Sequence, residues 1–323
     1  MEREHFKELF SEYLQAEQPF IFVIDYSCNS PVLYKPEEAA ALGIFFDFKG
    51  KSNGTQYEVQ KKINLEHFPI SKEVFAQKFN TVLDYLNNGY TYLLNLTFSS
   101  KINANLSLMD IFQLSDAPYK LLFQDKFVVF SPECFIKIQG EQIFTYPMKG
   151  TIDASIANAS NKLLNNKKEE WEHNTIVDLL RNDLAMIAED ITVSRYRFID
   201  HIKTHKGEIL QTSSEISGKL PTDWRNHFAD NLFKILPAGS ITGAPKKKTI
   251  EIINECEIDS RGYYTGVFGF FDGKNIDSAV AIRFIENKDK QFYFRSGGGI
   301  TSNSSLEDEY KELIQKIYIP APL

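Results

Sequence analysis

Three strand-like segments follow one another at residues 263–271, 277–285 and 291–295, with turns at Asp272-Gly273 and Asn287-Lys288-Asp289 between them. Connections this short join antiparallel neighbours, because a parallel partner needs a crossover of a dozen or so residues. On the middle segment Arg283 shares a face with Ala279 and Ala281. Small neighbours leave room for a ligand beside the guanidinium; an exposed strand arginine is the plain alternative. Gly297-Gly298-Gly299 then permits a close backbone approach. A second pair of strand candidates, 135–138 and 142–146, turns at Gly140-Glu141 and runs into Pro147-Met148-Lys149-Gly150-Thr151. Lys149 therefore stands where a strand gives way to a loop, and Glu133 precedes the same hairpin. A lysine and a carboxylate on neighbouring strand ends suit a nucleophile and a proton donor. A surface Lys-Gly turn is the bland reading.

Upstream, 19–26 reads as a buried strand, and so does 41–48. Residues 71–87 form an amphipathic helix, capped by Ser71, with Phe75, Phe79, Val82, Leu83 and Leu86 as its stripe and Gly89 beyond its end. Strands are expected over 90–98 and 121–130, with a short helical segment over 108–113. A polar loop, 152–166, leads to the longest helix candidate, 168–188, where Glu172 and Asp183 fall on the apolar face. A carboxylate there is costly unless it is paired, binds a metal or reaches water. Residues 193–216 are mixed, with a strand over 211–219. His201 and His205, four apart, would share a helix face, but no third ligand lies nearby to make a zinc site.

The loop 239–246 (Gly-Ser-Ile-Thr-Gly-Ala-Pro-Lys) lacks the spacing of a P-loop but feeds a helix from Lys246 to about Cys256. Free backbone N–H groups and Lys246 make an anion site there, against the alternative of an ordinary helix start with solvated lysines. The last helix begins near Ser304 or Ser305. Leu306, Tyr310, Leu313, Ile314 and Ile317 make its stripe, and periodicity assigns Glu309 and Glu312 to solvent.

At 323 residues, 43% hydrophobic and 24% charged, the chain has ample length for a core without staples. Its net charge of −7, with Lys246-Lys247-Lys248 as the longest basic cluster, argues against nucleic acid as a partner. With a charged start and no apolar run near about 18 residues, neither a membrane span nor a signal peptide is expected, and a cytoplasmic location is the default. Cys28, Cys134 and Cys256 are far apart and read as buried free thiols.

Six motifs occur together and in register: Ser131-Pro132-Glu133, Pro147 to Thr151, Glu172 through Asp178-Leu179-Leu180-Arg181-Asn182-Asp183, Gly239 to Lys246, Arg261-Gly262-Tyr263-Tyr264-Thr265-Gly266, and Gly297 through Glu312. In this the chain resembles the chorismate-utilising enzymes, over roughly residues 70–320, and within them component I of the aminodeoxychorismate synthases. The resemblance implies an α+β fold of two antiparallel sheets packed as a sandwich with helices outside. Residues 1–70 would be a shortened N-terminal strand region packed on the core, and 71–323 the chorismate-binding catalytic region, one structural domain overall.

Lys149 decides among the relatives, since anthranilate, isochorismate and salicylate synthases usually carry alanine at this position. The resemblance makes Lys149 the nucleophile, Glu133 the general acid, and Glu172 and Glu312 ligands of Mg²⁺ with Glu309 adjacent. This overturns the solvent reading of the last two. Lys246, Tyr264, Arg283 and Thr242, with the backbone of Gly298 and Gly299, would bind the substrate. Crowding by Mg²⁺, Arg283 and Lys246 would lower the Lys149 pKa. Leu93 stands where the family commonly has Gln, and Gln211 where many members have His. No Gly-x-Cys-x-Gly element occurs, so ammonia is expected from a separate glutaminase subunit. Anthranilate synthase component I and a non-catalytic chorismate-binding regulator are the competing readings.

Overall fold

Along the strand Phe20–Ile24, side chains alternate between two buried layers. Ile21 and Val23 enter one core, and Phe20, Phe22 and Ile24 enter another. A strand covered on both faces needs apolar residues at every position, hence the unbroken apolar run. The same alternation recurs in Phe127–Ser131, where Phe127 and Val129 join the first layer and Val128 and Phe130 a third. The computed structural model describes residues 1–55, 57–204 and 207–320. Among these, two sheets form, and every strand pairing is antiparallel.

The first sheet runs Met148–Asp153, Gly207–Lys219, Gln142–Thr145, Cys134–Gln139, Ile276–Val280, Val267–Phe271, Phe20–Ile24, Val32–Tyr34, with Glu189–Thr204 beside Gly207–Lys219. The second runs Gly243–Ala244, Leu93–Ala104, Gln291–Ile300, Phe284–Lys288, Phe127–Ser131, Tyr119–Phe123, Ile44–Phe48, Lys51–Ser52, with Leu65–Phe68 beside Leu93–Ala104. They pack face to face through aromatic contacts such as Phe46–Phe270 at 4.8 Å and Phe48–Phe268 at 5.5 Å between ring centroids. Helices cover the outer faces. Lys72–Asn87 packs Phe75 and Phe79 on one layer, and Leu108–Leu114 packs Ile111 and Phe112 on another. The fold is α+β, as the resemblance implied.

Several elements depart from the sequence reading. The first seventy residues are woven into both sheets, and they open with the helix Arg3–Gln15, whose Phe6, Phe10 and Leu14 recur every four positions and are buried. The segment 152–166 is not all loop: it continues the strand Met148–Asp153 and adds the helix Ala159–Leu164, buried through Ala159 and Leu163. The strands Glu189–Thr204 and Gly207–Lys219 pair antiparallel, so His201 lies on a strand, 2.7 Å from Glu208, and not on a helix face; His205 lies outside the described residues. The expected C-terminal meander is split. Ile276–Val280 belongs to the first sheet and Phe284–Lys288 to the second, with the chain crossing between them at 281–283. Arg283 therefore does not share a strand face with Ala279 and Ala281. It sits at the crossing with φ of 53°, and both alanines stay in the core between the sheets. All three cysteines are free and buried.

Candidate active site

Two chain crossings between the sheets lie side by side. Glu133 follows Phe127–Ser131 and precedes Cys134–Gln139; Arg283 precedes Phe284–Lys288. The Val280 N–H donates to the Glu133 carbonyl at 3.2 Å, and the Phe130 N–H to the Arg283 carbonyl at 3.1 Å, so each crossing is tied to the other's strands. A cavity of about 990 Å³ opens there. It is lined by Glu133, Lys149, Glu172, Thr242, Tyr264, Arg283, Gly298, Gly299, Glu309 and Glu312. Of the residues singled out in the sequence, Lys246 is not brought to it. Its ammonium is 2.7 Å from Asp183 and donates to the Ile235 carbonyl at 2.8 Å, pinning three helices together. The helix start it opens is thus an internal junction, and the anion site expected there is filled by the chain's own carboxylate.

One wall is acidic. Helix Lys167–Ala185 presents Glu172, 8% exposed, whose Oε2 lies 3.0 Å from the Lys149 ammonium, with Lys168 at 3.8 Å on its other oxygen. Helix Leu306–Gln315 brings Glu309, which accepts from the Ser304 hydroxyl at 2.8 Å, and Glu312, 2.6 Å from Lys316. The periodicity reading as solvent-facing fails for Glu309, which is buried against the cavity, and holds for Glu312, which lines the cavity but stays exposed. Burial, with help from Glu312, raises the Glu309 pKa. Burial also opposes ionisation of Glu312, but Lys316 outweighs it and the pKa falls. The glycine strand passes beneath them: a Cβ on Gly298 would stand 3.2 Å from Glu309 Oε2, and one on Gly299 3.1 Å from Leu93 Cδ1. Side chains there would crowd the site, which accounts for the glycines.

Lys149 meets carboxylates before cations. Burial favours its neutral form, but Glu172, Glu312 and Glu169 outweigh burial and raise its pKa above the ordinary lysine value. The surrounding charge is negative, because Lys246 is absent and the nearest groups are carboxylates.

The other wall is basic and phenolic. The Arg283 guanidinium lies near Tyr318, Lys316 donates to the Gly297 carbonyl at 2.7 Å, and Arg295 stacks over Tyr264 at 5.2 Å. Burial, before any charge, pushes the Tyr264 hydroxyl up to about 12, so it remains a donor. Burial depresses the Lys316 pKa despite Glu312, with Arg283 adding to the effect. Burial raises the Glu133 pKa although Ser240, Arg283, Lys316 and Lys149 all act to lower it. A half-buried acid with a raised pKa, facing cations and a lysine, suits proton donation.

Sequence reasoning missed Glu169, Lys316, Arg295 and Ser240. Lys316 was findable, one turn beyond Glu312 on the same helix face; Arg295 was read only as a strand end. Leu93 and Gln211 also line the cavity. Among the described residues, no three His, Cys, Asp or Glu side chains stand close enough together to hold a metal by themselves.

The model of the chorismate binding enzyme family matches residues 23–322. An uncharacterized PabA-like protein of Haemophilus influenzae is 53% identical, over 98% of this chain and 97% of its own length. Anthranilate synthase component 1 3 of Haloarcula marismortui is 32% identical, over 75% of this chain and 50% of its own. Aminodeoxychorismate synthase component 1 of Escherichia coli is 31% identical, over 77% and 57%. The match therefore spans about half the length of these two relatives. Among solved structures, MenF, the menaquinone-specific isochorismate synthase of Escherichia coli, superposes with a TM-score of 0.74 at 14% identity, covering 97% of this chain and 80% of that one. That likeness speaks for the fold, and the family match speaks for the lineage: this chain belongs to the chorismate binding enzyme family.

Proposed function

We propose that this chain is the chorismate-aminating component of an aminodeoxychorismate synthase, making 4-amino-4-deoxychorismate from chorismate and ammonia supplied by a separate glutaminase subunit. The observation that carries this reading is Lys149, a primary amine inside the cavity with the half-buried acid Glu133 lining the same space. In the first step a C2–Nζ bond forms, both ring double bonds shift by one position, and the C4 hydroxyl leaves as water with the Glu133 proton. In the second, ammonia forms the C4–N bond, both double bonds shift back, and the C2–Nζ bond breaks to release the lysine amine. The sum is chorismate plus ammonia giving product plus water. Two displacements with a positioned nucleophile each replace one direct displacement of the poor hydroxide leaving group at C4.

Arg283, Lys316, Tyr264 and the backbone N–H groups of Gly298 and Gly299 would hold the two carboxylates of the substrate. Lys246, committed to Asp183, leaves that set. The oxygen-only donors of the opposite wall suit Mg²⁺, which is held by one or two carboxylates with waters and substrate oxygens completing its shell. Glu172 and Glu312, with Glu309 adjacent, would hold it, and when bound it would supply positive charge to a substrate carboxylate. Lys149 must shed its proton and leave Glu172 before it attacks.

Incubating the purified chain with chorismate, ammonium and Mg²⁺, and identifying the product, tests the reading. Aminodeoxychorismate from ammonium, and none from glutamine until the glutaminase subunit is added, is the expected result. Anthranilate would assign the chain to the anthranilate branch, and bound but unchanged chorismate would make it a binding protein.

A further inference from the structure

The Ser240 hydroxyl donates a hydrogen bond to Glu133 Oε1, and both residues line the cavity. Neither the motif that contains Ser240 nor the reading of Glu133 as an acid assigns this contact. The loop that carries Ser240 is fixed from several sides. Arg261, buried and ion-paired with Glu257 at 2.7 Å, donates to the Ile241 carbonyl at 2.8 Å. Thr242 Oγ1 donates to the Ala238 carbonyl at 3.0 Å, and Lys246 joins the following helix to Asp183. On the other partner, the Glu133 N–H donates to Ser131 Oγ at 3.1 Å and its carbonyl accepts from Val280. Two rigid backbone segments thus hold one short side-chain contact.

We infer that Ser240 is the positioning residue for Glu133: by donating to Oε1 it makes that oxygen the acceptor and leaves Oε2 as the oxygen that carries and delivers the proton. The inference rests on the reading of Glu133 as proton donor. A carboxylic acid has one proton for two oxygens, and an external donor on one of them favours the proton on the other. The carboxyl also faces Arg283, Lys316 and Lys149, whose positive charges favour its ionised form. These cations do not choose between its oxygens by hydrogen bonding; Ser240 does. Without Ser240 the carboxyl turns more freely and the proton is divided between two directions.

The test compares Ser240→Ala and Ser240→Thr with the unaltered chain. The Glu133 carboxyl is titrated by infrared difference spectroscopy, with Glu133→Gln to assign its band. In Ser240→Ala the midpoint moves up by roughly one pH unit, because a hydrogen bond favouring the ionised form is lost. With chorismate and ammonium, kcat falls about tenfold while KM stays near its original value, and the alkaline limb of the pH–rate profile, where the donor loses its proton, moves with the infrared midpoint. Ser240→Thr, which keeps the hydroxyl, restores both. An unmoved midpoint in Ser240→Ala overturns the inference, and so does a raised KM with an unmoved profile, which would make Ser240 a substrate ligand. The infrared midpoint needs no turnover, so it decides the role of Ser240 even where the product assay goes against the proposed reaction.

Discussion

Helix Lys167–Ala185 carries two buried carboxylates on one face, Glu172 and Asp183, and each meets a lysine from elsewhere in the chain. Glu172 meets Lys149 at 3.0 Å and Asp183 meets Lys246 at 2.7 Å. By composition and distance the pairs are near-equivalent, and both lysines come from motifs shared with a family of enzymes. What separates them is their surroundings. Lys149 lines a cavity with further carboxylates around it, so its partner is exchangeable for a ligand or cation. Lys246 also donates to a main-chain carbonyl and borders no cavity that holds the other site residues. The comparison shows that a Lys–carboxylate pair becomes chemistry only where something else can compete for one of its members.

The sharpest way to break this distinction is to remove each lysine in turn. Lys149→Ala should lose aminodeoxychorismate formation by about a thousandfold or more, together with any covalent adduct seen by intact-protein mass, because the nucleophile itself is gone. Near-normal turnover would remove Lys149 from the mechanism. Glu172→Ala and Glu312→Ala should each abolish Mg²⁺-dependent turnover, and calorimetry should show weakened Mg²⁺ binding with the circular dichroism spectrum unchanged. A variant with full activity at limiting Mg²⁺ would take that residue out of the metal set.

How much of this was legible beforehand follows the range of the interactions involved. Local features read well: Ser71 caps its helix by accepting from the Val74 N–H, and the hairpin around Gly140 forms where its turn residues stand. Glu133 and Lys149 were found because each lies next to such a local feature. Arg283 was misread because alternation cannot register a single left-handed residue where a chain changes sheets. Glu309 was misassigned by periodicity because a helical pattern separates apolar from polar surroundings and cannot tell a polar cavity from solvent, whereas Glu312 keeps the exposure that periodicity assigned it. Lys246 kept a substrate role in the sequence reading because its true partner, Asp183, is 63 residues away and matched only in three dimensions.

The second pair should answer a different measurement. Lys246→Ala leaves Asp183 buried and unpaired, so the expected loss is about 3 kcal/mol of unfolding free energy, read by denaturant titration. Any product formed should still be the same compound. A Lys246→Ala chain that keeps its stability but fails to bind chorismate would restore Lys246 to the site and erase the contrast.

The smallest expected effect is the most discriminating, because it reads the exchangeability of the Lys149 pair directly. Burial acts to lower the Lys149 pKa, and Glu172, Glu312 and Glu169 raise it further than burial lowers it. A lysine whose folded pKa is raised stabilises the fold fully below its unfolded value of about 10.4, and loses that contribution as pH rises through the folded one. In the metal-free protein, the pH dependence of Lys149 modification by an amine-directed reagent, followed by peptide mass, should therefore have its midpoint above the ordinary lysine value of 10.5. Glu172→Gln removes the nearest negative charge and should bring the midpoint down. Saturating Mg²⁺ should do the same in the unaltered chain, because a cation on Glu172 takes the partner away and adds like charge beside the ammonium. Lys246, whose carboxylate is held in the core, should show no response to Mg²⁺ in the same experiment. A metal-free midpoint already below 10.5, or equal responses of the two lysines to Mg²⁺, would mean that the pairs do not differ as their surroundings indicate.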